Sequence, residues 1–203
     1  DVLADDVNVG RPFPAEPFAL LLVAFVRIIS EGGNIVGQGV QPHVYNMLGI
    51  NIDGDTPTVR MDIAVIGCGR WGSLITWYLD RLGHRVMLYG HADSAHMKEF
   101  LETRHNDLLS LPASVRLTTC LADVAKAQTL IISIPSQNLS ALMEELSPLA
   151  LRNKTVVLCM KGIEIATGRR LSQVATQALD PSCSVAVWLG PGHVQEFYRG
   201  VPN

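Results

Sequence analysis

The sequence Asp62-Ile63-Ala64-Val65-Ile66 is followed directly by Gly67-Cys68-Gly69-Arg70-Trp71-Gly72. The first five residues form a short apolar run typical of a buried strand, and the next six have the spacing G-x-G-x-x-G. In such a turn Gly67 permits a sharp reversal, Gly69 lets the backbone approach a pyrophosphate, and Gly72 lets a helix pack close to the strand. The spacing alone is weak evidence, but between a strand and a helix it predicts a dinucleotide-binding turn.

A helix is predicted immediately after this turn. Over residues 71–82 the apolar side chains recur at helical spacing, and Gly83 follows as a natural helix stop. The N-terminus of such a helix offers unpaired N–H groups and a partial positive charge to an anion. We therefore expect the phosphates of the dinucleotide at this end of the helix.

Strand-like and helix-like segments alternate along the rest of the chain. Predicted strands cover residues 62–66, 85–89, 115–118, 129–134, 155–159 and 184–189, and predicted helices cover 71–82, 94–104, 121–127, 137–146 and 169–179. Helical segments of this length between strands require right-handed crossovers and a parallel sheet with helices on both faces. The sequence thus predicts an α/β fold with a doubly wound parallel sheet, the Rossmann architecture.

The end of the second predicted strand bears on the choice of dinucleotide. An acidic residue there would bind the adenosine ribose and favour NAD, but the strand ends Leu88-Tyr89-Gly90-His91 and the nearest acid is Asp93. His91 or Lys98 could instead pair with a 2′-phosphate, or both could be solvated surface residues. The residues leave the choice between NAD and NADP open.

Ligands of doubly wound sheets bind beyond the carboxyl ends of the strands, so residues that follow the later strands are candidates for a substrate site. These are Pro135-Ser136-Gln137, Met160-Lys161-Gly162 and Gly190-Pro191-Gly192-His193. Lys161 would place a cation near the nicotinamide end of the crevice, which suits a phosphorylated or carbonyl substrate; a surface lysine is the equal alternative. His193 is a candidate acid–base residue, ranked behind a packing or helix-start histidine.

Composition argues against several other classes of protein. The 203 residues are 48% hydrophobic and 17% charged, with a formal net charge of −3, and no concentrated basic charge suggests a nucleic-acid partner. The apolar run over residues 18–29 contains Arg27 and is shorter than the about 20 residues of a spanning helix, so no membrane partner is expected. The four cysteines have no Cys-x-x-Cys pair, which predicts reduced core thiols and no metal site.

Residues 1–60 differ from the rest of the chain. They hold seven Asp and Glu against three Arg, and the Asp-Gly and Pro57 of residues 51–58 are typical of a linker. We therefore expect an N-terminal extension of unknown role over residues 1–60 and a dinucleotide-binding domain over residues 61–203, with Met61 a possible natural start.

In their order, these motifs resemble the amino-terminal domain of bacterial-type NAD(P)-dependent glycerol-3-phosphate dehydrogenases. The resemblance covers residues 62–203 and rests on Gly67-Cys-Gly-Arg-Trp-Gly72, Ile134-Pro-Ser-Gln137, Lys161-Gly-Ile-Glu164 with Thr167-Gly168, and Gly190-Pro-Gly-His193 with Arg199-Gly-Val-Pro202. It implies interconversion of dihydroxyacetone phosphate and sn-glycerol 3-phosphate for glycerophospholipid synthesis. It also implies a cytoplasmic protein that is a possible homodimer at full length.

The resemblance assigns roles to individual residues. The implied cofactor-binding residues are Gly67, Gly69, Arg70, Trp71, Gly72, His91, Lys161 and Val194, and the implied substrate-binding residues are Lys161, Gly190 and Gly192. The family usually has Ser or a small residue at 70, Ser at 192, Phe at 193 and Ala at 194, so the chain resembles a divergent branch. In the family the catalytic lysine belongs to a helical carboxy-terminal domain, so it is expected beyond Asn203 and no catalytic residue is expected within this chain.

Two other functions fit the same residues. One is a non-catalytic dinucleotide-binding regulatory module whose partner engages residues 1–60. The other is a related reductase of the same fold that acts on another hydroxy acid or a sugar acid, because a fold alone does not fix the substrate.

Overall fold

The computed structural model describes residues 26–28, 60–188 and 193–198. Seven strands form one sheet: β1 (Val26–Ile28), β2 (Asp62–Ile66), β3 (Arg85–Tyr89), β4 (Arg116–Thr118), β5 (Thr129–Ile132), β6 (Thr155–Leu158) and β7 (Ser184–Trp188). The α-helices in these ranges are α1 (Arg70–Arg81), α2 (Ala95–Thr103), α3 (Leu121–Val124), α4 (Leu139–Leu146), α5 (Leu171–Ala178) and α6 (Val194–Tyr198). Short 3₁₀ turns cover Ser136–Asn138 and Ser147–Leu149.

The strands are arranged in the order β1-β7-β6-β5-β2-β3-β4. β2 to β7 pair in parallel, and β1 pairs antiparallel with β7 at the edge of the sheet. The chain runs from β2 outward through β3 to β4, and then crosses back to place β5 on the other side of β2. Doubly wound sheets bind ligands at such a reversal of strand order, which lies here between β2 and β5. The predicted doubly wound architecture is confirmed.

Helices cover both faces of the sheet because alternate side chains of each strand point to opposite faces. Ile63 and Val65 of β2 belong to an apolar cluster that includes residues of α1 and α2. Ala64 and Ile66 belong to a second cluster, with residues of α4 and α5. The near-continuous apolar strands of the sequence are thus explained by burial on both sides.

Several predicted boundaries differ from the structure. The strand predicted to reach residue 134 ends at Ile132, and the helix predicted from residue 137 begins as a 3₁₀ turn and becomes α-helical at Leu139. Pro135 lies between the two elements and cannot donate a hydrogen bond to a strand ladder. Part of the apolar run at residues 18–29 forms strand β1. Helix α6 lies in a part of the chain where no helix was predicted.

The expectation of four core thiols is partly wrong. All four cysteines are free, and Cys68 is buried, but Cys120 is exposed at the residue that precedes α3, and Cys159 and Cys183 are partly buried. In the described ranges, no cluster of three or more His, Cys, Asp or Glu side chains could hold a metal ion. No helix in the same ranges is long and apolar enough to cross a bilayer.

Candidate functional site

The turn after β2 is shaped by glycine at residue 67. Gly67 has a φ of +114°, a backbone conformation that side chains rarely adopt, and its N–H donates to the carbonyl oxygen of Tyr89 at 2.9 Å. A Cβ on Gly67 would lie 2.1 Å from the carbonyl oxygen of Ser133. The turn therefore packs directly against the backbone that leaves β5, which brings the carboxyl ends of β2 and β5 together.

Helix α1 begins in this turn, with Gly69 as the residue that precedes its first turn. No acidic side chain lies in that first turn, and the first N–H groups of a helix have no carbonyl partner within the helix. A Cβ added to Gly69 would meet nothing within 4 Å. The helix N-terminus thus presents an open, partly positive surface, as a phosphate site requires.

A cleft of about 380 Å³ lies at the carboxyl ends of β2, β5 and β6. It is lined by Gly69, Arg70, Trp71, Ser133, Ile134, Pro135, Ser136, Cys159, Met160 and Lys161. Among these residues the charged side chains are Arg70 and Lys161, and there is no carboxylate. A negatively charged ligand is therefore favoured electrostatically in the cleft.

Arg70 and Trp71 form one wall of the cleft. The Nη2 atom of Arg70 lies 3.5 Å from Oδ2 of Asp107, in a pair that is largely exposed. The side chain of Trp71 is 38% exposed, which is uncommon for so large an apolar group and makes it a candidate surface for stacking against a ligand.

Lys161 also lines the cleft, three residues after β6. Within residues 60–188 and 193–198, its ammonium group has no hydrogen-bond or ion-pair partner. Gly162 follows with a φ of +114°, so the chain changes direction directly after the lysine. The thiol of Cys159 also faces this region, and burial raises its pKa, which keeps it neutral.

The segment after Lys161 is tied to the segment between β5 and α4. Gln137 Nε2 donates to the carbonyl oxygen of Ile163 at 2.9 Å, and Gln137 Oε1 accepts from the N–H of Ile165 at 2.9 Å. The carboxylate of Glu164 accepts hydrogen bonds from Ser140 and Thr167. Sequence reasoning missed this network, because no local periodicity signals contacts between loops.

The charge of Glu164 is stabilised where it lies. The Ser140 hydroxyl, then that of Thr167 and then Arg169 at 3.3 Å, hold the pKa of this carboxyl below its ordinary value. Glu164 is therefore an ionised, buried side chain with a full set of partners, as buried charges require.

The structure places the other predicted residues outside the cleft walls. His91 is exposed two residues after β3, with its ring edge-on to Tyr89 at 5.7 Å between centroids. Val194 begins α6 and is buried in the apolar cluster of α1, while His193 before it is exposed. Gly190 and Gly192 lie outside the described residues. The roles assigned to these residues stay predictions.

The residues that line the cleft fit a dinucleotide phosphate better than any other ligand class that the sequence suggested. The open side of Gly69 leaves room at the helix N-terminus, and the two cations and the absence of acid from the described lining favour an anion. A Cβ at Gly67 or Gly72 would meet backbone atoms, whereas one at Gly69 would meet nothing within 4 Å, a geometry compatible with the predicted dinucleotide-binding turn.

Comparison with known proteins identifies relatives of the same kind. A family model described as the N-terminus of NAD-dependent glycerol-3-phosphate dehydrogenase matches residues 62–203. A glycerol-3-phosphate dehydrogenase [NAD(P)+] of Thermoanaerobacter sp. (strain X514) is 36% identical over 147 residues, which are 70% of this chain and 44% of that protein. One of Parvibaculum lavamentivorans is 34% identical over 146 residues, 70% of this chain and 43% of that protein. The chain thus spans less than half the length of these relatives.

Solved structures show the same fold. The crystal structure of glycerol-3-phosphate dehydrogenase from Coxiella burnetii has a TM-score of 0.62 at 23% identity, and covers 69% of this chain and 44% of that one. The enzyme of the same name from Saccharomyces cerevisiae has a TM-score of 0.59 at 21% identity, and covers 70% of this chain and 45% of that one.

Proposed function

This chain belongs to the NAD-dependent glycerol-3-phosphate dehydrogenase family, and on that premise we propose that its cleft binds NAD or NADP as the cofactor part of such an enzyme. The enzyme would interconvert dihydroxyacetone phosphate and sn-glycerol 3-phosphate. One observation carries the proposal: the open, acid-free N-terminus of α1 lies at the reversal point of the sheet, beside a cleft with two cations.

The turn and α1 would hold the phosphates. Gly67 and Gly72 shape the backbone, Gly69 leaves the space, and Arg70 and Trp71 supply a cation and an apolar face at the edge of the cleft. His91 and Val194 complete the cofactor residues of the proposal. A bound nicotinamide dinucleotide supplies or accepts the hydride in this class of reaction.

Lys161 is the proposed contact to both cofactor and substrate. Lys161 lines a cleft without carboxylates among the described lining residues, so a phosphate or a polarised carbonyl oxygen would be a favourable partner for its ammonium group. Gly190 and Gly192 are the other proposed substrate contacts. Hydride transfer also needs a proton source for the alkoxide, and we propose that a lysine in the part of the relatives that this chain does not match supplies it.

The proposal extends to the setting of the enzyme. sn-Glycerol 3-phosphate is the backbone of glycerophospholipids, so the enzyme would supply lipid synthesis in the cytoplasm, as a homodimer. Residues 61–203 would be the cofactor domain, and residues 1–60 an extension of unknown role.

The proposal is tested by titration of the purified chain with NADH and NADPH, followed by nicotinamide fluorescence. We expect saturable binding of at least one of them, and weaker binding after Lys161→Met. Lys126→Met is the matched control, because Lys126 pairs with Asp123 away from the cleft. No binding of either dinucleotide would overturn the proposal.

A second experiment tests whether the substrate is phosphorylated. Dihydroxyacetone phosphate, added to the chain with bound NADH, should change the nicotinamide fluorescence or the dissociation constant. Dihydroxyacetone without the phosphate is the control. An equal response to both compounds would argue against a phosphorylated substrate.

A further inference from the structure

We propose that Gln137 and Glu164 are positioning residues, which hold the backbone after Lys161 so that the Lys161 ammonium group stays in the cleft. The inference rests on the proposed function for the role of Lys161, but the contacts that carry it are independent of any ligand.

The loop after Lys161 has an inverted pattern of exposure. Glu164 is only 8% exposed, whereas its neighbours Ile163 and Ile165 are 52% and 81% exposed. Exposing two isoleucines forgoes the free energy of burying their apolar surface. Burying a carboxylate is also unfavourable unless hydrogen-bond and ionic partners compensate for its lost hydration. The conformation of this loop is therefore set by Glu164 and not by burial of apolar side chains.

Glu164 is held from two directions. Ser140, in the first turn of α4, donates to one carboxylate oxygen, and Thr167 and Arg169, later in the same loop, donate to the other. The backbone supports this arrangement, because Glu164 N–H donates to Arg169 O at 2.9 Å and Gly168 N–H donates to Glu164 O at 2.8 Å. Glu164 thus joins the loop to helix α4 and closes the loop on itself.

Gln137 fixes the residues on either side of Glu164. Its amide nitrogen donates to the carbonyl of Ile163, and its amide oxygen accepts from the N–H of Ile165. In this way the side-chain amide of Gln137 bonds one backbone carbonyl and one backbone N–H, as the backbone of a neighbouring β-strand would. Ile163 and Ile165 are therefore attached to the segment between β5 and α4, and Glu164 between them is attached to the first turn of α4.

Lys161 depends on this attachment. Lys161 lines the cleft, and its exposed side chain has no hydrogen-bond or ion-pair partner in the described part of the chain, so the backbone on either side sets the position from which the side chain reaches the cleft. On one side is strand β6, and on the other Gly162, whose φ of +114° joins the lysine to the fixed residues. A shift of residues 163–165 would move Lys161 with them.

The attachment itself is tested without a ligand. Trypsin cleaves after lysine, and cleavage of an ordered loop requires local opening, so the rate at the Lys161–Gly162 bond reports on the order of this loop. We expect Gln137→Ala and Glu164→Ala to raise this rate about tenfold or more. Gln128→Ala and Glu144→Gln, at exposed positions, are the matched controls and should leave it unchanged. Unchanged cleavage in both test variants would overturn the inference.

The positioning role is tested by a double-mutant cycle on NADH binding. If Gln137 and Glu164 act through Lys161, each alanine variant should weaken NADH binding, by up to the loss seen in Lys161→Met, and should add nothing in the Lys161→Met background. Glu164→Gln keeps an acceptor oxygen and should restore part of the loss. Losses that add fully to that of Lys161→Met would show that the two residues act by another route and would overturn the positioning role.

The two proposals fail in different ways. If the wild-type chain binds no dinucleotide, the proposed function is wrong, and the cleavage rates still decide whether the loop is held by Gln137 and Glu164. If the wild type binds and the variants bind equally well, the function stands and the positioning role is wrong.

Discussion

Gly72 lies directly against the carbonyl oxygen of Gly67, so that a Cβ built on Gly72 would be 1.8 Å from this oxygen. Both glycines belong to the same turn, and the contact brings α1 as close to β2 as backbone atoms allow. Any side chain at residue 72 must push the helix away from the strand, because the obstacle is backbone and not a flexible side chain.

Gly72→Ala should therefore destabilise the protein. Forcing a methyl group into a closely packed site typically costs about 1–3 kcal/mol in the free energy of unfolding. Urea denaturation followed by circular dichroism measures the loss. A variant as stable as the wild type would mean that the helix can move at little cost.

Gly69→Ala should behave in the opposite way. A Cβ at residue 69 meets nothing within 4 Å, and the φ of −73° suits any residue, so stability should change by less than about 1 kcal/mol. The methyl group would instead occupy the space proposed for the cofactor phosphates, so the dissociation constant for NADH should rise about tenfold or more. Unchanged affinity in the fluorescence titration would place the phosphates elsewhere.

Asp62 and Arg85 make stability depend on pH in acid. Arg85 Nη2 donates to Asp62 Oδ2 at 2.5 Å and Nε donates to Oδ1, and these bonds lower the pKa of Asp62. In the unfolded chain the carboxyl of Asp62 has a pKa of about 4. The contribution of the ion pair to the free energy of unfolding is therefore present above that pH and is lost as the pH falls through the lower pKa of the folded protein. Asp62→Asn should be less stable than the wild type at pH 7, and the difference should shrink as the pH falls from 7 towards 2. Glu102→Gln, exposed on α2, is the control, and a difference that did not shrink in acid would contradict this account.

Tyr78 makes stability depend on pH in alkali. Burial raises its pKa to about 12, against about 10 for the unfolded chain. The neutral phenol is favoured by folding, so this contribution is present below pH 10 and is lost as pH rises through about 12. The loss amounts to about 2–3 kcal/mol. Tyr78→Phe should lack it, so the free energy of unfolding of the wild type minus that of the variant, measured by urea denaturation, should be smaller at pH 11 than at pH 9. A constant difference would show that Tyr78 titrates normally.

The core of the fold could be predicted because its signals are local. The apolar run of β2, the glycine spacing and the apolar periodicity of α1 are each contained in a few residues, and crossover rules then limit the sheet topology. The same signals indicated the turn that contains Gly69, which lines the cleft, whereas the roles of Arg70 and Trp71 came from the family resemblance and stay predictions.

The features that could not be predicted are the Gln137 network, helix α6 and strand β1. The bonds of Gln137 to Ile163 and Ile165 join residues 26 and 28 positions apart, and no pattern within either segment encodes them. Helix α6 has five residues, too few for a periodicity to be detected. Strand β1 is defined by its pairing with β7, at the far end of the chain.

That pairing gives residues 1–60 a physical consequence. A sheet edge with unpaired N–H and C=O groups is a template for another chain, and proteins keep such edges short or covered. One edge of this sheet is β4, with three residues, and at the other edge β1 pairs with Trp188, Val187 and Ala186 of β7. A version that begins at Met61 should expose this side of β7 and aggregate at lower concentration than the whole chain, as light scattering would show. Strand β1 would thus protect the protein from self-association by covering the edge of β7.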